Sequence, residues 1–177
     1  MGTTSRTPSL FDRWSDSYDR PGLQLLTYRP LHDAVLGRLR HLHPSLVLDL
    51  GCGTGQLTGR LIRRFPNADV LGVDFSDGML VEAGSRIDAA LVRADAHHLP
   101  LAPGTVDLVV CTESFHWYHD QQFVLGGLAR LLRPGGRLLI GSIATVTGLG
   151  DRITRAVSSA TGTEIRALPP RALAHLL

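Results

Sequence analysis

Five short apolar runs, at 46–50, 69–74, 90–94, 107–112 and 137–142, alternate with helix-period stretches at 56–65, 77–86 and 120–132. No other feature of this sequence restricts its fold so strongly. Strands separated by helices pair in parallel, because a crossover long enough to hold a helix returns the chain to the same end of the sheet. The runs VLDL and DLVVC are apolar almost without interruption, which predicts strands covered on both faces. The expected fold is therefore α/β: a doubly wound, Rossmann-like, mainly parallel sheet of about five strands with helices on both faces. Upstream, Leu31, Ala34, Val35, Leu39 and Leu42 follow Pro30 at the three-to-four spacing of an amphipathic helix. These patterns divide a single domain into an N-terminal helical cap (1–44), a ligand-binding α/β core (45–144) and a short helical tail (145–177).

Composition narrows the chemistry. Hydrophobic residues make up 44% and charged residues 19%, as in a globular core. All 18 basic residues are arginines, so Schiff-base and phosphate-loop lysine chemistry is excluded. A net charge of +2, with both signs mixed along the chain, argues against a nucleic-acid partner. No apolar run reaches the ~18 residues of a membrane span, and the polar start MGTTSRTPSL lacks a signal-peptide core. Cys52 and Cys111, the two cysteines, read as small buried hydrophobes in a reduced, cytoplasmic protein.

The chemistry concentrates where strands end. Asp49-Leu-Gly51-Cys-Gly53-Thr-Gly55-Gln56 leaves the first strand and opens a helix. Alternate glycines let backbone approach a ligand and present N–H groups to it. A nicotinamide fingerprint needs G-x-G-x-x-G, and Gln56 stands where its third glycine belongs. The second strand ends in Asp74, whose carboxylate can accept from both hydroxyls of a ribose. The third ends in Arg93-Ala-Asp95-Ala96, where the carboxylate and the Ala96 N–H can read an adenine edge. The fourth runs into Thr112-Glu-Ser-Phe-His-Trp117, and the fifth follows the turn Arg133-Pro-Gly-Gly136.

DLGCGTG, VDFS, RADAHHLPL, ESFHW and LLRPGGRLLI occur in this order and at familiar spacing. Together they resemble the class I S-adenosylmethionine-dependent methyltransferases, in particular the small-molecule group of ubiquinone/menaquinone and biotin-pathway type. The resemblance covers residues 10–144, with FDRWSDSYD similar to a segment that folds over the cofactor. It implies S-adenosylmethionine as cofactor and roles for individual positions. Gly51, Gly53 and Gly55 would wrap the methionine moiety, supported by Asp49. Asp74 would bind the ribose, and Asp95 and Ala96 the adenine, with Phe75 and Met79 as apolar neighbours. Thr112 would face the amino end, and Tyr18 and Arg29 would close the methionine side. Relatives continue through a further helix and two strands, for which residues 143–177 are too few. A fifth strand without them would expose an edge open to homodimerisation.

The implied reaction is in-line methyl transfer to a small-molecule acceptor. Trp14, Tyr18 and Trp117 could face a positive sulfur. A hydroxyl acceptor needs a base, and His116 is the first candidate, followed by His119 and Glu113; a hydrogen-bonded, crevice-lining role for His116 stays equally open. His97-His98 reads as a solvated loop, and no metal-ligand set is apparent at recognisable spacing. Three other readings stay open: a cofactor-binding regulatory or scaffolding protein without turnover; a nicotinamide-dependent oxidoreductase, against which the glycine spacing speaks; and transfer of another group from the same cofactor, as some members of the resembled family do.

Overall fold

The computed structural model describes residues 28–142. The order is α1 (Arg29–Arg38), β1 (Leu46–Leu50), α2 (Gln56–Arg64), β2 (Asp69–Asp74), α3 (Asp77–Gly84), β3 (Ala90–Arg93), β4 (Val106–Thr112), a 3-10 turn (Phe115–Trp117), α4 (Gln121–Leu131) and β5 (Leu132–Gly141). The five strands form one parallel sheet in the order β3-β2-β1-β4-β5. The chain first winds outward from β1 to β3, then crosses back to β4, which places the topological switch between β1 and β4. Ligands of open α/β sheets bind at that point, beyond the carboxyl ends of the strands. The expected fold class is the observed one.

Burial explains why these runs became central strands. Along β1 and β4 successive side chains enter opposite cores. Leu48, Leu50, Val109 and Cys111 join Val124, Leu125, Leu128 and Leu131 of α4 on one face. Val47, Leu108 and Val110 join Val35 of α1, Leu39 just past its end, and Leu57 and Leu61 of α2 on the other. Handedness requires this split. Right-handed crossovers put α2 on one face while the chain moves toward β3, and α4 on the other while it moves toward β5.

The strand limits of β1 and β2 match their sequence patterns. β5 differs, because it begins at Leu132 rather than at Arg137. Val106 pairs with Leu132 and Leu108 with Arg137, so residues 133–136 bulge out of the ladder. Gly135, at φ +81°, takes the left-handed step that the bulge needs. Asp107, buried opposite the bulge, ties three segments together. One carboxylate oxygen accepts the Ser45 N–H (2.6 Å) and the Leu46 N–H (2.9 Å), and the Arg133 guanidinium reaches the other. Burial works to raise this carboxyl, but the two amides and Arg133 outweigh it and hold it below the usual range. The entry expected over FDRWSDSYD and the helical tail after residue 144 lie outside the described residues.

Asp107→Ala should therefore cost about 1.5–3 kcal/mol in urea unfolding at neutral pH, because it strands two amides and a guanidinium. A lowered carboxyl contributes stability above its unfolded pKa and loses it as the pH falls through its folded value. The gap between wild type and variant should close on acidification below about pH 4.

Candidate functional site

The first strand leaves the sheet through a turn that only glycine can make. Gly51, Gly53 and Gly55 have φ of +71°, +54° and +77°, all left-handed. The Gly51 and Cys52 N–H groups both donate to the Val73 carbonyl, at 2.7 and 3.0 Å, and so carry the β1–β2 pairing past the end of β1. A Cβ on Gly51 would collide with Cβ and Oγ of Ser114, and one on Gly55 would lie 2.8 Å from Ile87 Cδ1. A Cβ on Gly53 would meet nothing within 4 Å. Two glycines are thus packed from behind, while the middle one borders open space.

Asp74 at the end of β2 receives the Gly53 N–H on Oδ2 (2.8 Å) and the Ser76 N–H on Oδ1 (2.9 Å). It is not the cap of α3: that is Ser76, whose Oγ accepts the Met79 N–H at 3.2 Å. Met79 itself is buried. Phe75 is 42% exposed, with the Arg93 guanidinium 5.9 Å from its ring centre.

Asp49 has a different environment. It is 1% exposed, and its Oδ2 accepts the Thr58 hydroxyl at 2.7 Å, joining β1 to α2. Burial pushes its carboxyl up to about 7, against the Thr58 bond and with help from the negative charge of Asp74. Asp95 has the opposite balance. Its Oδ1 accepts the His97 N–H (2.9 Å) and lies 2.7 Å from His97 Nδ1. Burial would raise it, but these bonds prevail and hold it below the usual carboxylate range.

Beyond β4, Ser114 closes a small polar network behind Gly51. Its hydroxyl donates to the Leu50 carbonyl (3.0 Å), accepts from the Tyr118 hydroxyl (3.1 Å) and lies 3.1 Å from Cys111 Sγ. Thr112 is half-buried and pairs with Gly141. Glu113 adopts φ +54°, a conformation that non-glycine side chains resist, at the mouth of the crevice. Its N–H donates to the Gly141 carbonyl at 2.9 Å.

Residues 47–136 match the methyltransferase domain family. The chain belongs to this family. It is 38% identical over 125 residues to a malonyl-[acyl-carrier protein] O-methyltransferase of Methylococcus capsulatus, a match covering 67% of this chain and 46% of that one. It is 34% identical over 155 residues to a trans-aconitate 2-methyltransferase of Methylobacterium radiotolerans, covering 86% and 55%. The chain thus spans about half the length of these curated relatives. An S-adenosylmethionine-dependent methyltransferase from Thermotoga maritima shares the fold, with a TM-score of 0.76 at 22% identity, over 95% of this chain and 77% of that one.

S-adenosylmethionine is the cofactor that goes with this family, and the residues present suit it. The turn has an open middle glycine, a carboxylate ends β2, and a second carboxylate, 44% exposed, follows β3. The structure brings Gly51, Gly53, Gly55, Asp74 and Thr112 to the carboxyl ends of neighbouring strands, with Asp95 and Ala96 just past β3. Asp49 sits beneath them, pointed at Thr58. Arg29 is exposed at the start of α1, and Tyr18, like Trp14, lies outside the described residues. His116 is half-buried in the 3-10 turn, and burial lowers its pKa to about 4.

One expectation needs correction. The His97 ring is not part of a solvated loop: it is 8% exposed and stacks on His119 at 3.9 Å between ring centres. No periodicity marks it, because His97 itself lies in a loop and its ring is covered by Tyr118, His119 and Phe123, far along the chain. The left-handed backbone of Glu113, named above only as a candidate base, carried no sequence signal, since glutamate is not a residue that turn chemistry selects for it. Among the described residues no group of three or more His, Cys, Asp or Glu could hold a metal ion.

The Asp49 carboxyl yields a test. Raised from 3.8 to about 7, it stabilises the fold most while protonated, below its unfolded pKa, and that contribution is lost as the pH rises through about 7. Asp49→Asn keeps an acceptor for Thr58 and removes the ionisation. The melting temperature of the wild type should fall relative to the variant between pH 5 and pH 8.5, with the variant the more stable at the upper end.

Proposed function

We propose that this chain transfers a methyl group from S-adenosylmethionine to a small-molecule acceptor. The observation that carries the reading is the conjunction of the left-handed glycine turn with Asp74 on the neighbouring strand. The Gly53 N–H donates to that carboxylate, so the open middle residue of the turn and a hydroxyl acceptor lie side by side on one surface. Gly51, Gly53 and Gly55 hold the amino-acid part, with Thr112 toward its amino end and Tyr18 and Arg29 completing that side. Asp74 takes the ribose hydroxyls. Asp95 accepts from the exocyclic amine of adenine, the Ala96 N–H donates to the ring, and Phe75 and Met79 are the apolar neighbours. Asp49 braces the turn from below through Thr58.

When bound, the cofactor supplies an electrophilic methyl group on a positively charged sulfur. The remaining work is positional, and orientation alone can supply roughly 7–11 kcal/mol. His116 borders the acceptor side. With a pKa of about 4 it is neutral throughout the physiological range, free to accept a proton but a weak base. The two relatives named above bear the names of acids, malonyl and aconitate, which favours a carboxylate acceptor for this chain too. Such an acceptor arrives deprotonated and asks His116 only to position it.

Among the described residues no helix is long and apolar enough to cross a membrane. The two buried free cysteines support a cytoplasmic setting. Among the described residues β5 ends the strand order, and a homodimer formed across that edge, without nucleic acid, is the assembly we favour.

Calorimetry with S-adenosylhomocysteine tests the cofactor site. Wild type should bind, and Asp74→Ala should weaken binding by about tenfold or more, since it removes a charged acceptor. No binding by the wild type, or an unchanged affinity in the variant, overturns the reading. For the acceptor side, His116→Ala should slow turnover at saturating substrate with little effect on cofactor affinity. Because the group titrates near 4, wild-type rates should not vary through His116 between pH 6 and 8. Undiminished turnover in the variant removes it from the chemistry.

A further inference from the structure

Among the described residues the short strand β3 is an edge of the sheet, and its residues are at most half-buried. An aspartate just past such an edge has little packing to set its rotamer. Asp95 is nevertheless held, by a side chain that neither the strand nor a helix provides. His97 directs its backbone N–H and its ring Nδ1 at the same oxygen, Oδ1, at 2.9 and 2.7 Å. The other oxygen lies outside this pair of bonds, and the Asp95 side chain stays 44% exposed. The His97 ring is itself fixed on the far side. The Asp120 N–H donates to Nε2 at 3.4 Å, which leaves the ring proton on Nδ1, where it donates to Asp95. His119 stacks on one face of the ring at 3.9 Å and 21°, and Tyr118 meets it edge-on at 6.3 Å. Asp120 also caps α4, accepting the Phe123 N–H on Oδ1 at 2.9 Å.

We propose that His97 is the positioning residue of the nucleobase site: it locks the Asp95 carboxylate in the orientation that selects a 6-amino purine, and it is itself held by the segment 118–120 ahead of α4. The proposal rests on the reading of Asp95 as the adenine acceptor. A carboxylate with one oxygen committed and the other available accepts a single N–H donor well. It repels a carbonyl oxygen at the same place. A carboxylate free to rotate can turn away or recruit water, and its discrimination falls. Ordering in advance of binding is what His97 supplies.

The test compares calorimetric affinities for S-adenosylhomocysteine and for its deaminated analogue, S-inosylhomocysteine, in the full chain. A loss of packing would weaken both ligands together, so the ratio between them reports positioning. Wild type should prefer the adenine ligand by roughly tenfold or more. His97→Phe keeps a ring for His119 but has no donor, and should lose most of that preference. His97→Gln retains an amide reaching toward Asp120 but not the short Nδ1 donor, and should lose it as well. His97→Asn places an N–H near the Nδ1 position and should recover it. Asp95→Asn separates the two levels of the argument. If the wild type shows no preference, or Asp95→Asn leaves it intact, Asp95 does not read adenine and the underlying assignment fails. If Asp95→Asn relaxes the preference while His97→Phe and His97→Gln keep it, Asp95 stands and the role of His97 is overturned.

Discussion

The Val73 carbonyl holds the site together. It accepts two successive N–H groups, from Gly51 and Cys52, and so pins the chain leaving β1 against the end of β2. Because of that pairing the left-handed turn begins one residue beyond the strand, and Gly53 comes within hydrogen-bond distance of Asp74. On the opposite flank Ser114 fills the volume that any side chain at residue 51 would need, while its hydroxyl donates to the Leu50 carbonyl. The turn is therefore clamped between the exits of β2 and β4. These are the two strands that pair with β1, and the clamp depends on the parallel register of all three. A slip of one residue would turn every side chain of a strand to the other face and undo both contacts.

This dependence explains which parts were legible from residues alone. Central strands bury both faces, so an unbroken apolar run is both necessary and visible, and β1 and β2 could be bounded to the residue. The glycine turn was legible because left-handed backbone leaves glycine almost alone as a choice. Helix α3 was legible in the helix-period stretch 77–86, and Ser76 caps it through the Met79 N–H. Legibility fails where tertiary contacts, not periodicity, decide the structure. The start of β5 rests on Asp107 of another strand meeting Arg133 and on Gly135 absorbing a bulge, and a Pro-Gly-Gly run reads locally as a plain turn. His97 is buried by rings at 118–123, more than twenty positions away, so two adjacent histidines looked like polar loop. Glu113 is held left-handed at the junction of β4 and the 3-10 turn, next to a bond from its N–H to Gly141.

The three aspartates at or near the ends of the first three strands show how one residue type serves distinct purposes through burial and partners. Asp49 lies deepest, has a single neutral hydroxyl for company, and is driven toward protonation near neutral pH. Asp74 accepts two backbone N–H groups at the rim, and its charge is felt by Asp49, Cys52 and Tyr118 below it. Asp95 is the most peripheral of the three, and donors from His97 keep it ionised. Proton affinity is thus raised at the sheet centre, at Asp49, and lowered at its β3 edge, at Asp95. A protonated Asp49 spares the core a buried charge beneath the rim residue Asp74, while Asp95 stays ionised where a ligand can meet it.

The same gradient bears on stiffness. The turn at the centre of the sheet is fixed by backbone bonds and by side-chain volume, neither of which can relax without moving a strand. At the edge, β3 contributes four residues and only half-buried contacts, so its exit would be the softest part of the crevice. The His97 ring counters this by borrowing rigidity from elsewhere. It is stacked and hydrogen-bonded to the segment that caps α4, and α4 is packed through Val124, Leu125 and Leu128 into the core on the face opposite α2. The outermost carboxylate is thereby referred to the same core that carries β4 and the Ser114 clamp. Geometry at the sheet edge and geometry at its centre then share one mechanical frame, although the two are built from different kinds of contact.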